Sequence, residues 1–392
     1  MANTKAATTS KSSKTGSSPS DELENYKAAA KIVAQTVRKL IELSVEGAKV
    51  IDLCVEGDKL IESGLSTLET KSQKGEKTTK GIAFPTSISV NNIISHFSPL
   101  PSDIKAGLKL AKDDVVKIHV GAHVDGFASV HAETIVVGAS IENPVTGPRA
   151  DVLKAAWTAA EIATRLIRVG ERNWSVTDAV SKVATVFNCK PVEGMLSCQQ
   201  SRNVVDGKKR IILDAYQGAR SGVDTCTFEE GEVWGMDILV TSASDNKPKQ
   251  TKDERTSIYQ RVPDVTYQLK LKTSRAVFSE IQKKAGTFPF NIRYLEDEKR
   301  GRVGVQEAEK HGLLRAYDVQ QSLPGTFVAA FHFTLALLPT GPYLITEPPV
   351  WYSPEKVKSE KELTDPALKD LLTKALGEKD DKGEEGAAKA AD

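Results

Sequence analysis

The sequence predicts an α+β protein in which the strands of two similar halves join in one sheet beneath a helical layer. Two observations carry this. Helical periodicity fills residues 21–69, and β-branched runs with turn signals fill residues 81–137. The same order then recurs, with the helix DVLKAAWTAAEIATRLIRVG and VTDAVSKVATVF followed by the strands EVWGMDILVTS and FVAAFHFTLALLP. Helices then strands, twice over, is the pattern of a duplicated α+β unit.

Each element has its own local signal. The first 20 residues are rich in Ser, Thr and Lys and have no apolar core, so they read as a disordered arm. From Asp21, the residues Val33, Val37, Leu40 and Ile41 line one helical face, and Gly47 supplies a stop. In the second half Val152, Ala156, Ala160, Ala163 and Ile167 form one stripe ended by Gly170. Near the C-terminus, DPALKDLLTKALG predicts a helix with Asp365 as N-cap, Pro366 at its first position, Leu368, Leu371 and Leu372 inward, and Gly377 closing it. Residues 378–392 carry three lysines against six acids and read as a disordered acidic tail.

Composition excludes several classes. Of 392 residues 40% are apolar and 27% charged, with 53 basic side chains against 52 acidic, which is an ordinary globular balance implying no nucleic-acid or membrane partner from net charge. The cysteines Cys54, Cys189, Cys198 and Cys226 lie far apart without a C-x-x-C pair, so neither a disulfide framework nor a zinc ribbon is indicated and a reducing compartment fits. No apolar run reaches the roughly 20 residues of a membrane helix, and no secretory signal is read at the N-terminus.

The stretch KIHVGAHVDGFASVHAET holds three of the six histidines. Asp125-Gly126 is the pair expected in a two-residue hairpin turn, and that turn sets His119 opposite Ala132, Gly121 opposite Val130 and Val120 opposite His131. His131 therefore points away from His119 and His123. The three imidazoles cannot share one ion, and hydrogen-bonded strand histidines are the plainer reading.

His119 and Val130 are diagonal on one face, and here a resemblance enters. GIAFPTSISVNNIISHFSP followed by this hairpin resembles the type 2 methionine aminopeptidases, which implies the pita-bread fold and a two-metal site. Carried over residue by residue, the resemblance places His119 and Val130 at the paired aspartate ligands, Cys198 of PVEGMLSC at the histidine ligand, and Asp237 and His332 at the two glutamates. His96 matches the substrate-side histidine. Two divalent ions about 3.5 to 4 Å apart need bridging carboxylates, which valine and histidine cannot supply, so the aminopeptidase chemistry is expected to be lost. A single zinc at His119, Cys198, Asp237 and His332 is the alternative, since all four are competent ligands.

KGIAFPTSISVNN, HFSPL, GAHVDGF, EGMLS, LKLKTSRAVFSE and LEDEKR resemble the proliferation-associated, ErbB-receptor-binding proteins, a non-peptidase branch of the same superfamily. The resemblance covers nearly all of residues 21–377, taken as the pita-bread domain. It implies association with large ribosomal subunits and their precursors, binding of structured RNA, and movement between nucleolus and cytoplasm.

The residues themselves offer one candidate surface. An insert at about 264–317 holds eleven bases against seven acids. Lys270, Lys272, Arg275, Lys283, Lys284, Lys299, Arg300 and Arg302 are its candidate RNA contacts, with Lys270 and Lys272 of LKLK on one face of a strand and TSRAVFSEIQKK as a helix. The plainer reading for Lys283 and Lys284 is interaction with the helix dipole. The expected protein is a catalytically inactive, metal-free binder of the large ribosomal subunit and rRNA, with nascent peptide and DNA as further candidate partners. An active metal-dependent aminopeptidase, a mononuclear zinc hydrolase and a DNA-binding or signalling adaptor are the competing classes.

Overall fold

The computed structural model describes residues 18–69, 78–214, 222–251 and 253–376. The first half runs α1 (Pro19–Leu43), α2 (Val50–Thr67), β1 (Lys80–Val90), β2 (Ile93–Ser95), β3 (Val115–Val124) and β4 (Phe127–Val136). The second half opens with α3 (Gly147–Leu166) and α4 (Asn173–Val186), then β5 (Lys190–Pro191), β6 (Leu196–Gln200), β7 (Arg210–Ile212) and β8 (Val233–Thr241). After β9 (Lys249–Gln250) comes a subdomain of β10 (Ile258–Arg261), α5 (Lys272–Lys284), β11 (Phe290–Asn291), α6 (Glu298–Lys310) and β12 (Leu314–Tyr317). The chain then returns through β13 (Gln320–Gln321), β14 (Val328–Leu338), β15 (Gly341–Leu344) and α7 (Pro366–Thr373).

The main sheet has the order β1-β3-β4-β14-β8-β6-β7, with β15 and β5 pairing at its margins. The two halves meet where β4 pairs with β14, at Ala132 and His332. One face is apolar and carries the helices. Val116, Ile118 and Val120 of β3, Trp234, Met236 and Ile238 of β8, and Phe331, Phe333 and Leu335 of β14 pack there with α1 to α4 in one buried core. Strand alternation sends the intervening residues, His119, Asp237 and His332 among them, to the opposite face. Gly57 of α2 permits the close approach of that helix to β1, because a Cβ there would lie 2.5 Å from Thr86 Oγ1.

The hairpin register is the one its turn requires. His119 pairs with Ala132, Val120 with His131 and Gly121 with Val130. Asp125 (φ 53°) and Gly126 (φ 83°) are both left-handed, as a type I′ turn needs. His131 accordingly faces the helical layer, beside Glu133, Ala30 and Val33.

Several boundaries differ from the sequence reading. Pro19 and Ser20, expected in the arm, belong to α1, because the Ser18 side chain accepts the Asp21 N–H and caps the helix there. Residues 1–17 of the expected arm and 377–392, with Gly377 and the acidic tail, lie outside the described residues. Asp365 caps α7 through the N–H groups of Ala367 and Leu368, but the helix ends at Thr373, ahead of the expected stop. The strand expected at LKLK is not formed. Lys272 opens α5, and the Lys270 N–H goes to the Glu307 side chain at 2.8 Å rather than to a neighbouring strand. Conversely, Ile258–Arg261 supplies the central strand of the β11-β10-β12 sheet, ahead of the insert's expected start at Asp264.

The subdomain has its own core, built on Tyr259, Val277, Ile281, Phe290, Val305 and Leu314. It is joined to the body by a buried ion pair. The Arg293 guanidinium donates to Asp58 Oδ2 of α2 at 2.7 Å and to Ser98 Oγ at 2.9 Å, while Asp58 Oδ1 accepts the Thr86 N–H at 2.8 Å. Among the described residues no helix is long and apolar enough to cross a membrane.

Candidate functional site

The sheet face opposite the helices brings His96, His119, Val130, Cys198, Asp237 and His332 into one region. β3 and β14 each pair with Ala132 of β4, which sets His119 and His332 side by side with ring centroids 5.3 Å apart. His332 is the cross-strand partner of Asp237, with Nδ1 3.5 Å from the carboxylate. Cys198 pairs with Gly235 on the same strand as Asp237. A Cβ at Gly235 would lie 2.3 Å from Gln200 Nε2 and 3.3 Å from His332 Nε2, so glycine leaves both side chains room.

The space beside His119 and Val130 is taken by other side chains. Phe84 stacks on His119 at 4.2 Å between centroids, with planes 10° apart, and packs in a buried cluster with Val130 and Ile258. Gly121 lets the β1 backbone approach, since a Cβ there would lie 2.9 Å from Phe84 N and 3.0 Å from Val130 Cγ2. The subdomain contributes the cover. Tyr317 meets His96 and Phe84 edge-on, at 5.1 and 5.6 Å, and Phe288 stacks on His123 at 4.3 Å. His96 adopts a left-handed backbone (φ 68°) and donates from Nδ1 to the Asp318 carbonyl at 3.1 Å, which leaves Nε2 as an acceptor.

Burial controls the protonation of this face. It drives the His119 imidazole well below its ordinary pKa, with repulsion from His332, His96 and His131 adding to the effect. Burial also lowers His96, against the opposing pull of the Asp318 carbonyl and of Asp237, and brings His123 down to about 4. The Cys198 thiol is pushed up to about 11, first by burial, so it is neither a ready nucleophile nor a ready metal ligand.

These residues do not fit a metal pair. Asp237 is the one carboxylate at the five positions, Val130 has no donor atom, and His332 cannot bridge through oxygen. The four-ligand zinc alternative finds no support in the placement of these side chains. The His119 ring is stacked between Phe84 and His332, while its Nε2 and both His332 ring nitrogens are buried without a hydrogen-bond partner among the described residues. Among the described residues no group of three or more His, Cys, Asp or Glu side chains is placed to hold a metal ion.

The eight candidate RNA-binding residues do not form one free patch. Lys270, Lys272, Lys283, Lys299 and Arg300 are exposed. Arg275 and Lys284 are exposed too, but Arg275 donates to the Leu269 and Lys270 carbonyls, and Lys284 to the Tyr294 carbonyl and Glu280. Arg302 clamps the subdomain to the body through Asp103 at 2.8 Å and Ser102 at 2.7 Å. Sequence reasoning missed Arg293, whose partner Asp58 is 235 residues away, and Glu307, which satisfies the entrance of α5 from the neighbouring helix. Neither has a local signal in the sequence.

Comparison with known proteins agrees with this architecture. Metallopeptidase family M24 matches residues 24–214. The chain is 44% identical to a protein named curved DNA-binding protein from Schizosaccharomyces pombe, over 89% of each chain. It is 41% identical to ErbB-3 binding protein 1 of Arabidopsis thaliana, covering 91% of this chain and 86% of that one. The structure of a thermophilic Arx1 superposes with a TM-score of 0.83 at 31% identity, over 91% of this chain and 98% of the other. The methionine aminopeptidase of Thermotoga maritima, at 15% identity and a TM-score of 0.55, shares the fold. The fold is the pita-bread fold, and the chain belongs to the ErbB-3-binding, proliferation-associated proteins.

Proposed function

We propose that this methionine-aminopeptidase-like protein is catalytically inactive and works as a binding module on the large ribosomal subunit, contacting structured RNA through the helical face of its subdomain. The observation that carries the loss of catalysis is the stacked, filled site, in which Phe84, Ile258 and Tyr317 occupy the space above His119 and Val130. A two-metal hydrolase would need bridging oxygens and an open position for water there. As purified, the protein is expected to carry well under one equivalent of cobalt, manganese, iron or zinc by elemental analysis, and to release no methionine from Met-Ala-Ser peptides. Stoichiometric metal with turnover that His96→Ala abolishes would overturn this reading.

Support for the binding role comes from bases left uncommitted. Lys270, Lys272 and Lys283 are exposed and their side chains have no partner among the described residues, and Lys299 is exposed one helix away. Ammonium groups without internal partners are free to neutralise phosphates, with release of counterions. Reversing these four lysines to Glu should cut co-sedimentation with large subunits by roughly a hundredfold or more near physiological salt, each lost phosphate contact also flattening the salt dependence. Removing residues 378–392, which are net acidic, should leave binding intact or slightly stronger. A quadruple variant that still co-sediments, with a tail deletion that does not, would place the contact elsewhere. Retained binding to bent duplex DNA with no affinity for subunits would favour the DNA-binding class. Exchange between cytoplasm and nucleolus follows from the same proposal and is checked by imaging a tagged chain.

A further inference from the structure

A cleft of about 1080 Å³ opens between α2, the start of β1 and the ends of α5 and α6. It lies apart from the filled site and plays no part in the lysine surface. Its volume is at the upper edge of small-molecule sites, enough for several residues of a peptide. Val55, Leu65, Ile82 and Leu295 give it apolar walls.

The charges around it sort into two groups. Most are consumed internally. Arg293 and Asp58 pair with each other, Lys80 reaches the Leu65 carbonyl, Lys284 holds Glu280 and the Tyr294 carbonyl, and Glu298 holds Arg302. The Glu62 and Glu296 carboxylates have no hydrogen-bond or ion-pair partner among the described residues, against one uncommitted ammonium, Lys59. Partial burial and then the neighbouring Asp58 carboxylate raise the pKa of Glu62, and Lys284 offsets this only in part. Such a carboxylate gains from a cation brought beside it.

We infer that this cleft is a binding site for a peptide segment that presents a lysine or arginine side chain between apolar residues. The cationic head meets Glu62 and Glu296, and the apolar neighbours cover Val55, Leu65, Ile82 and Leu295. The inference is independent of the ribosomal reading, because none of these residues is among the four lysines tested for it.

Fluorescence anisotropy with labelled acetyl-Leu-Val-Lys-Leu-Pro-amide tests it on the full chain. The lysine peptide should bind about tenfold more tightly than its norleucine counterpart, and a glutamate counterpart should not bind. The double variant Glu62→Gln, Glu296→Gln should erase the lysine preference while thermal unfolding and subunit co-sedimentation stay unchanged. Equal binding of the lysine and norleucine peptides, or an unchanged preference in the double variant, overturns the site. Butylammonium competing as well as the peptide would reassign the cleft to small amines. Peptide binding that appears only after Lys71, Lys74 and Lys77 are replaced by Ser would assign it to the chain's own lysines, and either outcome rejects the proposal.

Discussion

Arg293→Met is expected to lose about 3–5 kcal/mol of stability, because it leaves the Asp58 carboxylate buried without its cation, beside the Thr86 N–H that it accepts. The Arg293 side chain is 8% exposed and that of Asp58 10%, so water cannot replace the lost contact cheaply. The same guanidinium also holds Ser98 Oγ and the Pro99 carbonyl, so the loss should concentrate at the junction of subdomain and body. Urea unfolding measures the total. Hydrogen exchange should show the amides of β10 and β12 losing protection before those of β3 and β4. Replacing Asp58 by Asn in the same chain should recover part of the loss, since no unpaired charge then remains. Arg315→Met, which breaks the half-exposed pair with Asp206, should cost about 1 kcal/mol or less and serves as the control. Equal losses from the two substitutions would show that Arg293 contributes no more than a surface pair.

Stability should also fall steeply on mild acidification. His123 is held neutral by burial, with its pKa down to about 4 against an unfolded value near 6.5. Between those values the unfolded chain binds the proton and the folded one does not, so stability is full above about pH 6.5 and is lost as pH falls towards 4. The loss from His123 is about 3 kcal/mol. His119 and His96 are lowered in the same direction and deepen it. His123→Phe keeps a ring against Phe288 and removes one titrating group whose Nδ1 makes no hydrogen bond. It should flatten the decline of the urea midpoint across this window. An unchanged profile would assign the acid sensitivity to other groups.

These two effects arise from different depths of information. The acid sensitivity was half legible, since the hairpin reading places His119 and His123 on the face away from the helical core. What buries them, Phe84 from β1 and Phe288 and Tyr317 from the subdomain, comes from segments distant in the chain. The Arg293 latch was not legible at all. Arginine in LEDEKR-flanking sequence looks like any surface base until α2 is laid against it.

The same division runs through the basic residues. Counting charges selected a region with an excess of four bases, but it could not tell Lys272, which reaches solvent, from Arg302, which is spent on Asp103. LKLK alternates as a strand would, and that pattern was overruled by a side chain from α6. Glu307 supplies the acceptor that a neighbouring strand would have given, so the segment turns into a helix entrance.

By itself the sequence determined the hairpin, its register and the opposed faces of His119 and His131, because a two-residue Asp-Gly turn and a period of two are local rules. It determined the cap of α7 for the same reason. It also determined which atoms stand at the old ligand positions matched by resemblance, and that valine and histidine cannot bridge two ions is chemistry of the residue type. Only the tertiary structure decided what packs beside these positions. Stacking of Phe84, His119 and His332, the cover of Ile258 and Tyr317, and the Asp58–Arg293 pair join residues that are far apart in sequence. No local pattern specifies such partners, since they are selected by the mutual fit of faces that meet only after the sheet, the helices and the subdomain have packed.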